Sequence, residues 1–288
     1  MHERQKNLPE IIADVCLPIA LYYVASNIVL YVLNLLVQMI AERFFTGGPA
    51  WAAGHASAIQ VADNALAMCV GFYLVRRQFL AEAAAGGEAV LAAPRRIAAG
   101  WFHEGLKRRK NDWRSYLLLL LSGTGAALAL NFAAGLIDAA SHDAAYRQVA
   151  DTQYAVPIWL GLIAYGIISP IIEEGIFRGI LYRKCRRYLG RALPAAVLSA
   201  LLFGILHANL VQGVYGFLMG LLLAWFYERY DSFLAPVLIH AASNVSVFLL
   251  STSGVFANIR SAVIGCCICT VVSIFSTVFI VKKDKRCS

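Results

Sequence analysis

Long apolar stretches, broken by short polar or basic segments, run through the whole chain. A helix that crosses a bilayer needs about 20 consecutive apolar residues. Eight stretches approach that length, at about 15–40, 57–75, 115–137, 156–177, 193–208, 213–228, 233–250 and 261–281. The fifth and sixth are short and separated by only a few residues. They read either as two spans or as one hairpin that does not fully cross. Periodicity inside the stretches is weak, as expected of helices apolar on both their lipid and protein faces. No internal repeat is evident. The pattern predicts an all-α, polytopic helical bundle of about eight transmembrane helices.

Composition agrees. The chain is 60% hydrophobic and 15% charged, with a mean hydropathy of +0.65, whereas a soluble domain is about 25% charged. The net charge of +8 is therefore read through membrane topology, and nucleic acid is excluded as a first guess at a partner. With the N-terminus inside, 22 of the 25 Lys and Arg residues fall in inner segments, and only Arg43, Arg147 and Arg260 fall outside. By the positive-inside rule this predicts both termini in the cytosol. The first apolar stretch exceeds the roughly 7–15 residues of a cleavable signal core, so it is expected to remain as a span.

Three parts are expected along the chain: 1–114, with two spans and a basic inner segment; 115–250, the membrane core; and 251–288, the last span with a basic tail. Within the first part, Trp101, Phe102 and Leu106 interleave with Lys107–Lys110. That pattern suits an interfacial helix on anionic lipid. The outer loop 138–155 carries no motif. None of the seven cysteines lies in an expected outer loop, which argues against a disulfide framework. The CCIC run at 266–269 reads as small apolar side chains, because a structural zinc site wants a second ligand pair.

A set of polar residues stands out against this apolar background. Glu173, Glu174 and Arg178 lie in SPIIEEGIFRGILY, His207 in LLFGILHANL, and His240 and Asn244 in PVLIHAASNV. An ionisable group in a lipid-embedded helix costs roughly 2.5–3.5 kcal/mol on insertion scales. Two carboxylates, two imidazoles and an amide spread over three helices therefore suggest a site. Glu174 and Arg178 have the favoured order for an i,i+4 ion pair, which leaves Glu173 freer to act as a base. Pro170 removes a backbone donor just before and can kink the helix. His240 and Asn244 share one helix face, and both can donate hydrogen bonds. From a rise of about 1.5 Å per residue, Glu173, His207, His240 and Asn244 sit about 16 Å, about 22 Å, about 12 Å and about 18 Å from the inner boundary. They fall in one slab, nearer the cytosol.

EEGIFR at 173–178, FGILH at 203–207 and HAASN at 240–244 follow EExxxR, FxxxH and HxxxN patterns. In order and spacing they resemble the CPBP family of intramembrane proteases, which includes type II CAAX prenyl endopeptidases and bacterial homologues linked to bacteriocin processing and immunity (Abi). The resemblance covers about residues 115–250. It implies a hydrolase acting inside the membrane on a peptide or a lipidated or membrane-associated protein. It places the general base on Glu173, water activation on Glu173 with His207, and an oxyanion hole on His240 and Asn244. Glu174 and Arg178 take supporting roles. The family is often labelled metalloprotease, and Glu173, His207 and His240 would form a His₂Glu zinc set. The chain has no HExxH, and water activated directly by Glu and His needs no metal, so a cofactor-free reaction is expected. The alternatives are a non-catalytic immunity or peptide-binding protein on the same fold, and a transporter or proton relay.

Overall fold

The computed structural model describes residues 7–44, 47–85, 113–230 and 232–284. The expected interfacial helix around Trp101–Lys110 lies outside the described residues. Every spanning element among them is helical. α1 (Leu8–Phe44) opens on a reciprocal cap: Glu10 N–H donates to Asn7 Oδ1 at 3.0 Å, and Asn7 N–H donates to Glu10 Oε2 at 3.0 Å. Such a box satisfies donors that the first turn leaves without partners. A short α2 (Gly48–Gly54) leads into α3 (Ala56–Ala85), which packs along α1. α4 (Trp113–Leu136) is followed by two short helices, α5 (Ala139–His142) and α6 (Ala144–Tyr154).

The central element is α7, a 32-residue run from Ile158 to Leu189. It is π-helical over Ala164–Ile168 and again over Gly175–Tyr182. Next come α8 (Ala192–Ile205), α9 (Leu210–Tyr230), α10 (Leu234–Ser251) and α11 (Ile259–Asp284). Seven of these helices are long and apolar enough to cross a membrane; α8, with 14 residues, is the shorter exception. The eight apolar stretches thus appear as seven spanning helices and one short helix, packed as a hairpin with α9. Leu17, Leu21, Val24 and Ile28 on α1 are exposed, as are Val263, Ile268, Val271 and Ile274 on α11. Such apolar faces would be untenable in water and are ordinary against lipid. The protein is an integral, multi-pass membrane protein.

Residues 178–189, expected as part of an inner segment, instead continue α7. Arg178 is fully buried, and Ile176, Phe177, Ile180 and Leu181 beside it form the main core with Phe79, Ala195 and Phe203. The basic charges that mimic a loop are matched by acids from other helices. Lys184 Nζ donates to Asp14 Oδ1 at 2.7 Å, Arg187 pairs with Glu82, and Arg186 Nε donates to Glu228 Oε1 at 3.0 Å. Tyr182 OH also donates to Glu228, at 2.7 Å. This cluster ties α1, α3, α7 and α9 together at one end of the bundle.

At the other end, α6 is fastened to α9. Asp143 caps both: its Oδ1 accepts from Tyr146 N–H at 2.9 Å, and its Oδ2 accepts from Leu210 N–H at 2.9 Å and Val211 N–H at 3.2 Å. One carboxylate thereby satisfies first-turn donors of two helices. The α4–α11 seam is built from small polar residues: Ser273 Oγ donates to the Ser122 carbonyl at 2.8 Å, and Ser122 and Thr277 hydroxyls meet at 2.6 Å. Cys266, Cys267 and Cys269 are free thiols on α11.

Candidate functional site

Glu174 is 0% exposed and held on the inner side of α7. Its Oε1 accepts from Arg178 Nη1 at 2.9 Å, as the i,i+4 spacing dictates, and from His240 Nδ1 of α10 at 2.8 Å. Arg178 is fixed from a third helix, since its Nη2 donates to the Gly220 carbonyl of α9 at 2.9 Å. Its guanidinium also lies 4.9 Å from the Phe203 ring centroid, within reach of a cation–π attraction. Gly220 permits this. A Cβ there would stand 2.9 Å from the Ala200 Cβ and 3.4 Å from Arg178 Nη2.

Glu173 points elsewhere, as adjacent helical residues do. Its side chain is 21% exposed, its Oε1 accepts from the Ser169 hydroxyl one turn earlier, and its Oε2 lies 3.7 Å from His240 Nε2. His240 therefore stands between the two glutamates. A carboxylate only accepts, so the contact with Glu174 places a proton on His240 Nδ1.

His207 follows the end of α8, in a turn where Ala208 takes φ 58°. Its Nδ1 is 2.7 Å from the Phe203 carbonyl. A carbonyl also only accepts, so in the neutral ring Nε2 carries the lone pair. The Phe203 ring stands edge-on to both imidazoles, with centroids 5.0 Å from His207 and 5.9 Å from His240. Asn244, one turn beyond His240, donates from Nδ2 to the Tyr165 carbonyl of α7 at 3.2 Å.

Glu173, His207, His240 and Asn244 all line one cavity of about 860 Å³, together with Ser169 and Phe203. The structure thus brings the four together, with Glu174 and Arg178 packed behind them. The cavity extends away from the basic end of the bundle and is lined at its far end by His142, Asp143 and Tyr146. The chamber thus reaches the 138–155 segment. A second cavity of about 240 Å³, bordered by Tyr22, Ser26 and Asn64, touches Glu173, Phe203 and His207 from the α1 side.

Residues 155–246, which contain this entire polar set, match the family model for type II CAAX prenyl endopeptidase Rce1-like proteins. That third of the chain is similar to the CPBP/CAAX proteases. It is 32% identical over 108 residues to "Putative membrane peptidase YdiL" of Bacillus subtilis (strain 168), a match covering 36% of this chain and 41% of that protein. It is 28% identical over 95 residues to "UPF0177 protein YbdI" of Lactococcus lactis subsp. lactis (strain IL1403), covering 33% of this chain and 50% of that protein. The chain spans half or less of the length of these curated relatives. No solved structure matches.

The zinc question turns on the donor set. Among the described residues no three His, Cys, Asp or Glu side chains are grouped to hold a metal ion. His207 presents Nδ1 to a carbonyl, and Glu173 and His240 face each other at 3.7 Å.

Four contributors escaped the sequence reading. Ser169 is four residues before Glu173, a same-face spacing that was readable. Asp143 before Ala144 is a readable N-cap for α6, but its second bond, to α9, has no local signal. Tyr165 and Gly220 act through backbone carbonyls, which side-chain motifs do not reveal.

Proposed function

We propose that this protein is an intramembrane endopeptidase that cleaves a peptide or a membrane-associated protein by direct attack of water. One observation carries the reading: Glu173, His207, His240 and Asn244 face a single cavity, while Glu174 and Arg178 are consumed in holding His240. Acid, base and donor groups are thus separated from their supports.

Water in the cavity loses a proton to Glu173 as its oxygen bonds to the scissile carbonyl carbon. Ser169 holds the base by one oxygen and leaves the other to the cavity side. The lone pair on His207 Nε2 accepts a hydrogen bond from the same water. The carbonyl oxygen becomes an oxyanion, met by the second N–H of Asn244 and by His240 Nε2–H. Because Nδ1–H is already given to Glu174, that donor requires a second proton on the ring as the oxyanion forms. Glu173 then passes its proton to the amide nitrogen, and the C–N bond breaks. Donors already aimed at the developing charge are each worth roughly 2.7–4 kcal/mol. The reaction runs without metal in this scheme, and both termini face the cytosol.

The test is cleavage of a panel of internally quenched transmembrane peptides in proteoliposomes, comparing wild type with Glu173→Ala. Cleavage by wild type alone supports the proposal. Peptide binding without cleavage by either protein replaces it with a non-catalytic binding or immunity role.

A further inference from the structure

Asn244 is held by a carbonyl that the backbone itself cannot use. In an α-helix the carbonyl of residue i accepts from the N–H of i+4, and a prolyl nitrogen has no hydrogen to give. Pro170 in an α register would leave the Gly166 carbonyl without a donor. α7 is instead π-helical over Ala164–Ile168, and Ser169 N–H reaches back five residues to the Ala164 carbonyl. In that register the next carbonyl, that of Tyr165, faces the nitrogen of Pro170. It receives the Asn244 side-chain amide at 3.2 Å. A carbonyl accepts only, so the nitrogen and not the oxygen of the Asn244 amide must face it. The amide is thereby oriented without ambiguity, and its second N–H remains for the cavity that Asn244 lines.

We infer that Pro170 is a positioning residue: by withholding a backbone donor from the Tyr165 carbonyl, it reserves that carbonyl for Asn244 and fixes the amide over the cavity. The π turn leaves the Tyr165 carbonyl without a backbone donor, and π turns of this kind recur at functional sites. The catalytic consequence rests on the proposed hydrolysis. The coupling between Pro170 and Asn244 does not.

A double-mutant cycle on the full chain in detergent tests it, read as the thermal unfolding midpoint. Asn244→Ala alone orphans a part-buried carbonyl and should lower the midpoint by about 2–8 °C. Pro170→Ala restores a backbone N–H. Either that new donor at position 170, in the π register, or the Ser169 N–H, in an α register, then satisfies the Tyr165 carbonyl. In that background Asn244→Ala should cost less than a third as much. Equal falls in both backgrounds would overturn the inference, leaving Pro170 as a bend and nothing more. If Pro170→Ala does not accumulate, Pro170→Gly supplies the same N–H. Failure of both to fold would also overturn it, because the fold and not Asn244 would then need the proline. With any quenched peptide that wild type cleaves, Pro170→Ala should lower kcat about tenfold or more with KM held, and Asn244→Ala should add little to it. If wild type cleaves nothing, the hydrolysis reading fails while the unfolding cycle still decides the coupling.

Discussion

His240 Nδ1 lies 2.8 Å from Glu174 Oε1, the same oxygen that Arg178 Nη1 reaches at 2.9 Å. Two donors from two helices converge on one buried acceptor. A buried ion cluster tolerates the loss of a whole pair far better than the loss of one member.

Arg178→Ala should therefore destabilise the protein by roughly 3–5 kcal/mol, because Glu174 keeps its burial and loses its cation. Glu173→Gln, on the partly exposed carboxylate, should leave the unfolding midpoint near wild type and abolish cleavage. Thermal unfolding in detergent, run beside the peptide assay, separates the two. Full activity in Glu173→Gln would reverse the roles given to the paired glutamates.

Asn244→Ala should cut kcat by on the order of 10²–10³-fold, with peptide capture in a pull-down nearly unchanged, since the lost donor serves the transition state. Asn244→Asp should be as poor or poorer: an ionised carboxylate cannot donate to an oxyanion and also repels the Tyr165 carbonyl. Wild-type turnover in both variants would move the site elsewhere.

Asp143 makes stability depend on pH. The Tyr146 N–H, assisted by those of Val211 and Leu210, holds its carboxyl below the usual carboxylate range. A group with a depressed folded pKa contributes stability above its unfolded value, about 3.9, and loses it as pH falls through the folded value. Lowering the pH from about 5 to about 2 should reduce the unfolding midpoint of wild type more than that of Asp143→Ala. Parallel curves would show that the double cap carries no titrating stability.

Metal removal gives a further check. The proposed water activation uses Glu173 and His207 directly, so purified enzyme should stay active after exhaustive chelation, with bound metal well below one equivalent by elemental analysis. Stoichiometric zinc, with activity lost on removal and regained on return, would overturn the metal-free scheme.

Cysteine labels at positions 141 and 288 should react from opposite faces of the membrane. Labelling at 288 from outside intact cells would overturn the cytosolic placement of both termini.

Much of the bundle is legible because apolar length is a one-dimensional signal. The Glu174–Arg178 pair is also legible, since i,i+4 spacing sets both members on one helix face. The end of α7 is not. Arg183, Lys184, Arg186 and Arg187 read as a loop until Asp14, Glu82 and Glu228 arrive from distant positions to meet them. The role of residues 138–155 is hidden for the same reason: Asp143 acquires its second partner only when α9 begins beside it. The Tyr165 carbonyl belongs to a third kind of information, a backbone register that a proline permits without specifying.

The shortness of α8 reaches beyond the protein. At about 1.5 Å per residue its 14 residues cover about 21 Å, against a hydrocarbon thickness of about 30 Å. Leu193, Val197, Leu201 and Ile205 on it are exposed, so lipid is its neighbour. Acyl chains there must compress, or their headgroups sink, to match it. A bilayer that adapts to α8 by thinning would therefore be thinnest beside the helix that ends just before His207. A segment lying in the bilayer meets water sooner at that dimple than elsewhere, which is where a hydrolytic reaction needs its second reactant.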